Sequence, residues 1–426
     1  MIEKRIAHIN PAMVKGTLAI NSAGSEIAYV AREEDGYRVY RNDEPGPIFD
    51  VVAARPPVFS EDGSRMAYVA GAGPQRFMVV EDEADQPFDD LSDPVISADG
   101  SRISYIAVQD GLQGVVIDGK VAAWYNGIAA SSPVFSPDGR HLSYVARKGT
   151  AQNVIVDGVK IGPYNSVGTD GPQFSPDSRR MAFDVRMRID NQVRSRFVVD
   201  GNMGSDFDEV CYGTLFSPDS RKVAYAGRVE DEWFIIYNET PSHAYQKIDK
   251  LTFSPNSRRL AFVGGDGHRE AVIVDGQSDR AYHDFGELIF SRDSQRLAYR
   301  ASRGDKELVV LDGVESSEHD AVGPLTFSPD SRRLAYIVQD GERQALVIDG
   351  RLGRYYDGMR TAVAFTCNSR HVVAVAQIND KQALLIDGKA GPSYSTILSE
   401  INTNREAVSY LATRGADVFQ IEERLG

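Results

Sequence analysis

Apolar and polar positions alternate along this chain in short runs, each closed by a turn residue. Nowhere do the apolar positions fall at the three-to-four spacing of an amphipathic helix. Residues 322–357 show the unit. A first strand is predicted from about Pro324 to Ser328, and Pro329-Asp330-Ser331 turns the chain, because proline presets φ and aspartate bonds its own backbone two residues on. A second strand follows over Arg333 to Val338, then a turn at Asp340-Gly341 and a third strand over Gln344 to Ile348. Asp349-Gly350 is a tight-hairpin signal, since a type I′ turn needs φ > 0 at both central positions. The fourth strand runs over Leu352 to Tyr356. Strands this short at this turn density predict antiparallel sheet throughout.

The unit repeats. The phrase beginning at Phe327 and ending at Tyr336 has close copies starting at Phe135, Phe174, Phe216, Phe253 and Phe290, and weaker ones at Ile20, Phe59, Ile96, Phe365 and Ile401. An aromatic closes each copy, from Tyr29 to Tyr410, with Ala374 as the exception. The apolar run that follows often ends in Asp-Gly, as at Asp118-Gly119, Asp157-Gly158, Asp275-Gly276 and Asp387-Gly388. One four-stranded sheet of this size does not stand alone, because its apolar faces need neighbours. Stacked copies would bury Phe327, Leu334, Tyr336, Val347 and their equivalents, each contributing roughly 1.5–3 kcal/mol when fully buried. A period near 40 residues with four strands predicts a β-propeller, here of eleven four-stranded repeats.

With eleven blades, the expectation is a single domain over residues 1–426, one closed ring, with tandem five- and six-bladed propellers as the alternative. Successive aromatics stand 36 to 42 residues apart with no linker, and the longest interval, Phe183 to Tyr225, is explained by an extended hairpin at Met187 to Arg196. The chain ends on Val418 to Ile421, a third strand, while residues 3–9 form a spare strand before the first repeat. Pairing the two completes the last blade and removes exposed edges.

In the Phe-Ser-Pro-Asp-Ser turn and the Leu-Ala-Tyr strand the chain resembles the TolB-like, WD-repeat-related propeller repeats over nearly its whole length. The resemblance implies the fold and little about function, because this repeat serves many roles. TolB-like proteins add an N-terminal domain, for which no room is expected before Ile20, so their envelope role is not carried over. The Trp-Asp dipeptide of WD repeats is absent. Prolyl-oligopeptidase-type peptidases share the repeat, but the G-x-S-x-G elbow of their hydrolase domain is missing.

Composition narrows the function classes. The formal net charge of −14 argues against nucleic acid as a partner, since an acidic surface repels phosphates. The densest basic stretch, Arg186, Arg188, Arg194 and Arg196, is interrupted by Asp190 and is expected at a hairpin tip. The apolar runs are too short to span a bilayer as helices, so no membrane insertion is expected. Cys211 and Cys367 are far apart and are expected to be free thiols. No leader is visible at the N-terminus; localisation stays open, cytoplasmic for a complete chain, periplasmic or secreted if a leader was removed.

No catalytic constellation emerges. Asp62, Asp99, Asp138, Asp177, Asp219 and Asp330 occupy one turn position in successive blades, and blade faces about 10 Å apart keep such carboxylates from sharing a metal or a proton. His8, His141, His243, His268, His283, His319 and His371 show no metal-triad spacing and are expected at the surface. Neither cofactor nor metal is expected, and the chain is expected not to be an enzyme. The loops joining second to third and fourth to first strands share one face, where variable loops on a rigid scaffold usually bind. There Arg32, Arg147, Arg186 and Arg228 hold one position after the second strand, and with Glu33, Glu34, Asp35, Glu230, Asp231 and Trp233 they make a polar rim. The function expected is a monomeric, non-catalytic scaffold binding a protein or peptide on that face; the alternative is a propeller enzyme acting on a glycan or peptide.

Overall fold

The computed structural model describes residues 1–266, 269–360 and 363–425, with the side chains of 212–215 left out. Among the described residues the structure is all β, in eleven antiparallel sheets that are the blades of a β-propeller. Each blade has strands A to D. Its strand B follows the A–B turn, Ser-x-Asp in most blades: Ile27–Glu33, Met66–Ala72, Ile103–Gln109, Leu142–Lys148 and Met181–Ile189 in the first five, then Val223–Val229, Leu260–Gly265, Leu297–Arg303, Leu334–Asp340, Val372–Ile378 and Ala407–Arg414. No helix of the described residues is long and apolar enough to cross a membrane.

The chain packs as two compact units. Ile6–Thr214 holds the first five blades; Met1–Arg5 with Leu215–Gly426 holds the later ones, and the chain passes between the units along the strand Glu209–Phe216.

The ninth blade shows why the sequence folds this way. Strand A is split into Ala321–Val322 and Thr326–Phe327, both paired with strand B, Leu334–Asp340; strands C and D are Arg343–Ile348 and Arg351–Tyr356. In the A–B turn the Ser328 hydroxyl donates to Asp330 Oδ1 at 2.6 Å, the Arg332 amide donates to the same oxygen at 3.2 Å, and the Arg333 amide donates to Ser328 Oγ at 2.9 Å. The repeated aspartates are therefore turn-formers. Asp349 (φ 51°) and Gly350 (φ 75°) make the expected tight C–D turn.

The same residues bind blade to blade. Ser331 sits at φ 65°, and its hydroxyl oxygen accepts the Asp293 amide of the eighth blade at 2.9 Å; Ser369 does the same for Asp330. Arg333 pairs with Asp349 at 2.9 Å, donates to the Arg370 carbonyl of the next blade at 2.8 Å, and lies 5.4 Å over the Phe365 ring. Arg102 repeats the pattern with Asp118, the Arg140 carbonyl and Phe135. In the fourth blade His141 takes the arginine's place, 2.7 Å from Asp157 and stacked on Phe174. Leu334, Tyr336 and Val347 are buried as expected, whereas Phe327 is half-buried beneath Arg296.

In the last blade the N-terminal strand Ile2–His8 lies beside Asp417–Arg424 as the outermost strand. Glu3 receives both terminal nitrogens of Arg414 at 2.8 Å and the Tyr394 hydroxyl at 3.0 Å, and Arg5 pairs with Asp417 at 2.9 Å. The spare strand expected at residues 3–9 thus completes this blade. The extended hairpin is also present, as Met181–Ile189 and Gln192–Val199 turning at Asp190-Asn191.

Candidate functional site

The B–C hairpins and D–A connections form one end of every blade. Strand D ends in an aromatic followed by a short polar residue, and that residue caps the next B–C turn. Asn126 Oδ1 accepts the Gly149 amide at 2.9 Å, Asp50 Oδ2 the Gly73 amide at 2.8 Å, and Asp357 Oδ2 the Asn379 amide at 2.7 Å. A second device ties the blades from strand C. The side-chain oxygen of Gln113 accepts the Ile128 amide of the next blade at 2.6 Å; Gln152, Gln344, Gln382 and Glu307 do the same for Val167, Met359, Ile397 and Val322. The loops therefore stand on a face whose backbone is already fixed.

The rim arginines, expected just after the second strand, lie within strand B instead, because the strand runs on into the hairpin: Arg32, Arg147 and Arg228 are next to last, and Arg186 is three residues from the end of the longer strand Met181–Ile189. Arg32 is exposed and lies 5.8 Å from the ring centre of Tyr37, its cross-strand neighbour. Arg228 stands in the same relation to Trp233, also at 5.8 Å, and donates to the Glu230 carbonyl at 2.6 Å. Arg147 donates to the Asn126 carbonyl at 3.0 Å, while Arg186 is exposed beside Ser166. Arg32, Arg147 and Arg186 belong to the first unit, Arg228 and Trp233 to the second. The structure thus joins Arg228 to Trp233 and gives Arg32 and Arg147 packing partners that sequence spacing did not show. Around Arg32, Glu33 and Asp35 face Arg38; Glu33 also receives the Tyr40 hydroxyl, and that bond holds its carboxyl below the usual range.

One cluster was missed. His319 is 8% exposed, where the expectation was a surface histidine. It replaces the strand-D aromatic, and its Nδ1 lies 2.9 Å from Asp340 Oδ2. The Tyr355 hydroxyl donates to the same oxygen at 2.5 Å. Burial raises the Asp340 carboxyl's proton affinity, but the bonds from Tyr355 and His319 outweigh it and leave the group below the usual range. The signal was visible, since other blades carry Phe88, Phe207 or Tyr245 in that place. His268 lies outside the described residues. Cys211 and Cys367 form no disulfide. Among the described residues no three His, Cys, Asp or Glu side chains are grouped to hold a metal ion.

No family model matches the chain, and no curated protein is significantly similar to it. Similar solved structures include a eukaryotic initiation factor, with 13% identity over 79% of this chain and 97% of that one and a TM-score of 0.44. A putative TolB from Agrobacterium tumefaciens shares 15% identity over 47% of this chain and 85% of its own, with a TM-score of 0.27. The β-propeller domain of the Trilobed protease from Pyrococcus furiosus shares 15% identity over 61% of this chain and 95% of its own, with a TM-score of 0.31.

Proposed function

We propose that this chain is a non-catalytic propeller scaffold that binds a protein or peptide through the B–C and D–A loops. The observation that carries this reading is the pairing of strand-B arginines with aromatic platforms, Arg32 on Tyr37 and Arg228 on Trp233, at the end of the blades where B–C turns such as those at Gly73 and Gly149 are capped by side chains. Arginine, tyrosine and tryptophan dominate binding hot spots, and loops fixed in advance lose little freedom on binding. The test uses the whole chain as bait in extract of its source organism, beside a variant with Arg32, Arg147, Arg186 and Arg228 all changed to Ala. Exposed charges contribute little to stability, so the variant should melt as the parent does while losing partners the parent retains. Partners retained equally by both proteins would remove this rim from consideration.

The second reading, an enzyme acting on a glycan or peptide, draws its support from the His319–Asp340–Tyr355 cluster. Turnover on a substrate panel, lost in His319→Gln with folding intact, would put that reading first.

A further inference from the structure

In the first unit strand B carries an apolar residue directly after its register aromatic: Val30, Val69, Ile106 and Val145. The fifth blade places Asp184 there. Opposite this position, the strand-A backbone amide of Ala53, Ser92 or Ala129 donates to the strand-B carbonyl; in the fifth blade the donor is Gly168, bonded to the Asp184 carbonyl at 2.9 Å. The carboxylate lies against this glycine, for a Cβ at 168 would stand 1.7 Å from Asp184 Oδ1 where it now sits. In the fifth blade a carboxylate thus stands where the other blades of this unit carry an apolar residue, and it occupies the space beside a glycine.

That space is a cavity of about 490 Å³. Asp184, Asp170, Ser166, Phe197 and Val210 line it, together with Arg186 of the rim. The Asp184 carboxylate has no ion-pair partner among the described residues. Burial pushes its proton affinity above the usual carboxylate range and the charge on Asp170 pushes the same way, while the bond from its own backbone amide and the charge on Arg186 oppose them. A partly buried carboxylate with no ion-pair partner is costly to keep, and a valine would pack there as it does in the neighbouring blades.

Building on the peptide-binding reading of this face, the geometry points to the Asp184–Asp170 cavity as the receptor for a basic side chain, an arginine or lysine of the bound peptide. The ammonium or guanidinium lies between the two carboxylates with Ser166 as a further acceptor, and its methylene stem lies along Phe197 and Val210, since long basic side chains bury their stems against apolar surface.

The experiment is calorimetric titration of the full chain with N-acetyl-arginine amide and N-acetyl-lysine amide, with the neutral isostere N-acetyl-citrulline amide as control. The charged amides bind saturably and citrulline does not. Asp184→Asn weakens them at least roughly tenfold, the ratio expected from losing one charge-assisted hydrogen bond. Gly168→Ala, which fills the space beside the carboxylate, abolishes binding. Asp184→Val, carrying the residue of the neighbouring blades, also loses binding yet melts no lower than the parent, which a merely structural aspartate would not allow. Equal binding of citrulline, unchanged affinity in Asp184→Asn, no saturable binding at millimolar amide, or a clear fall in the Asp184→Val melt would each overturn the assignment. Loss of amide binding alone, with arginine-dependent partner capture intact, would remove the cavity and leave the face as the binding surface.

Discussion

The A–B turn of the ninth blade predicts an unusual order of stabilities at Ser331. The residue sits at φ 65°, in the left-handed region, and is 3% exposed. Its Oγ accepts the Asp293 amide of the preceding blade at 2.9 Å. Ser331→Ala removes the acceptor and keeps a Cβ in the left-handed conformation; leaving that partly buried amide unpaired costs about 1–3 kcal/mol, the lower end applying where water reaches it. Ser331→Gly loses the same bond but releases a backbone strain of roughly 1–2 kcal/mol. Alanine should therefore be clearly worse than glycine, and glycine close to the parent, the reverse of the order in a strand or helix interior. Urea denaturation midpoints for the three proteins give the comparison directly, and the midpoint order does not depend on strictly two-state unfolding. The early blades supply the converse: a Cβ on Gly100, which occupies the same turn position at φ 67°, would stand 2.4 Å from Ser64 Oγ, so Gly100→Ser should destabilise rather than add a clasp. An alanine variant as stable as the glycine variant would refute the reasoning.

Other outcomes follow from the same contacts. Arg333→Ala removes an ion pair, a bond to the Arg370 carbonyl and the cover of Phe365, and should cost about 1–2 kcal/mol, more than an ordinary exposed pair; thermal melts of the single variant check it. The Asp330 carboxyl is held below its ordinary range by the Ser328 hydroxyl, so its contribution is present above the unfolded value of about 3.9 and is lost as pH falls through the folded one. Asn256 makes the same turn bonds with an amide, so Asp330→Asn should keep neutral-pH stability and flatten the acid limb of a pH–melting profile. Removing Met1–Asn10 strips Asp417–Arg424 of its outer neighbour and breaks the Glu3–Arg414 contact, so the melting temperature should fall clearly; an unchanged melt with a monodisperse protein would contradict the closing role.

The blades were legible in the sequence because their determinants are local. Asp330 bonds residues two positions away on either side, and Asp-Gly dictates the C–D turn whatever lies beyond it. Much of what was not legible depends on strand register or on a partner in the next blade. Gln344 reads as an ordinary polar position of strand C, yet it accepts the Met359 amide of the next blade. The rim arginines were expected beyond strand B but lie within it, and the aromatic beneath Arg32 is visible only once the B–C register pairs it with Tyr37. Turns at Glu81-Asp82 and Asn238-Glu239 escaped notice because neither contains glycine, although all four residues have positive φ. Asp184 and Gly168 are each unremarkable alone; only the pairing of strands A and B brings the missing side chain and the added charge to one place.

The central claim, that the B–C and D–A loops are a binding surface, is tested most directly by hydrogen exchange on the chain with and without its captured partner. The account predicts slowed exchange at Glu34-Asp35, Gly149-Thr150, Asp190-Asn191 or Glu230-Asp231, and none at the opposite turns such as Pro137 to Gly139 and Pro329 to Ser331. Protection confined to those A–B turns, with the B–C tips exchanging as in the free protein, would place the partner on the other face and contradict it.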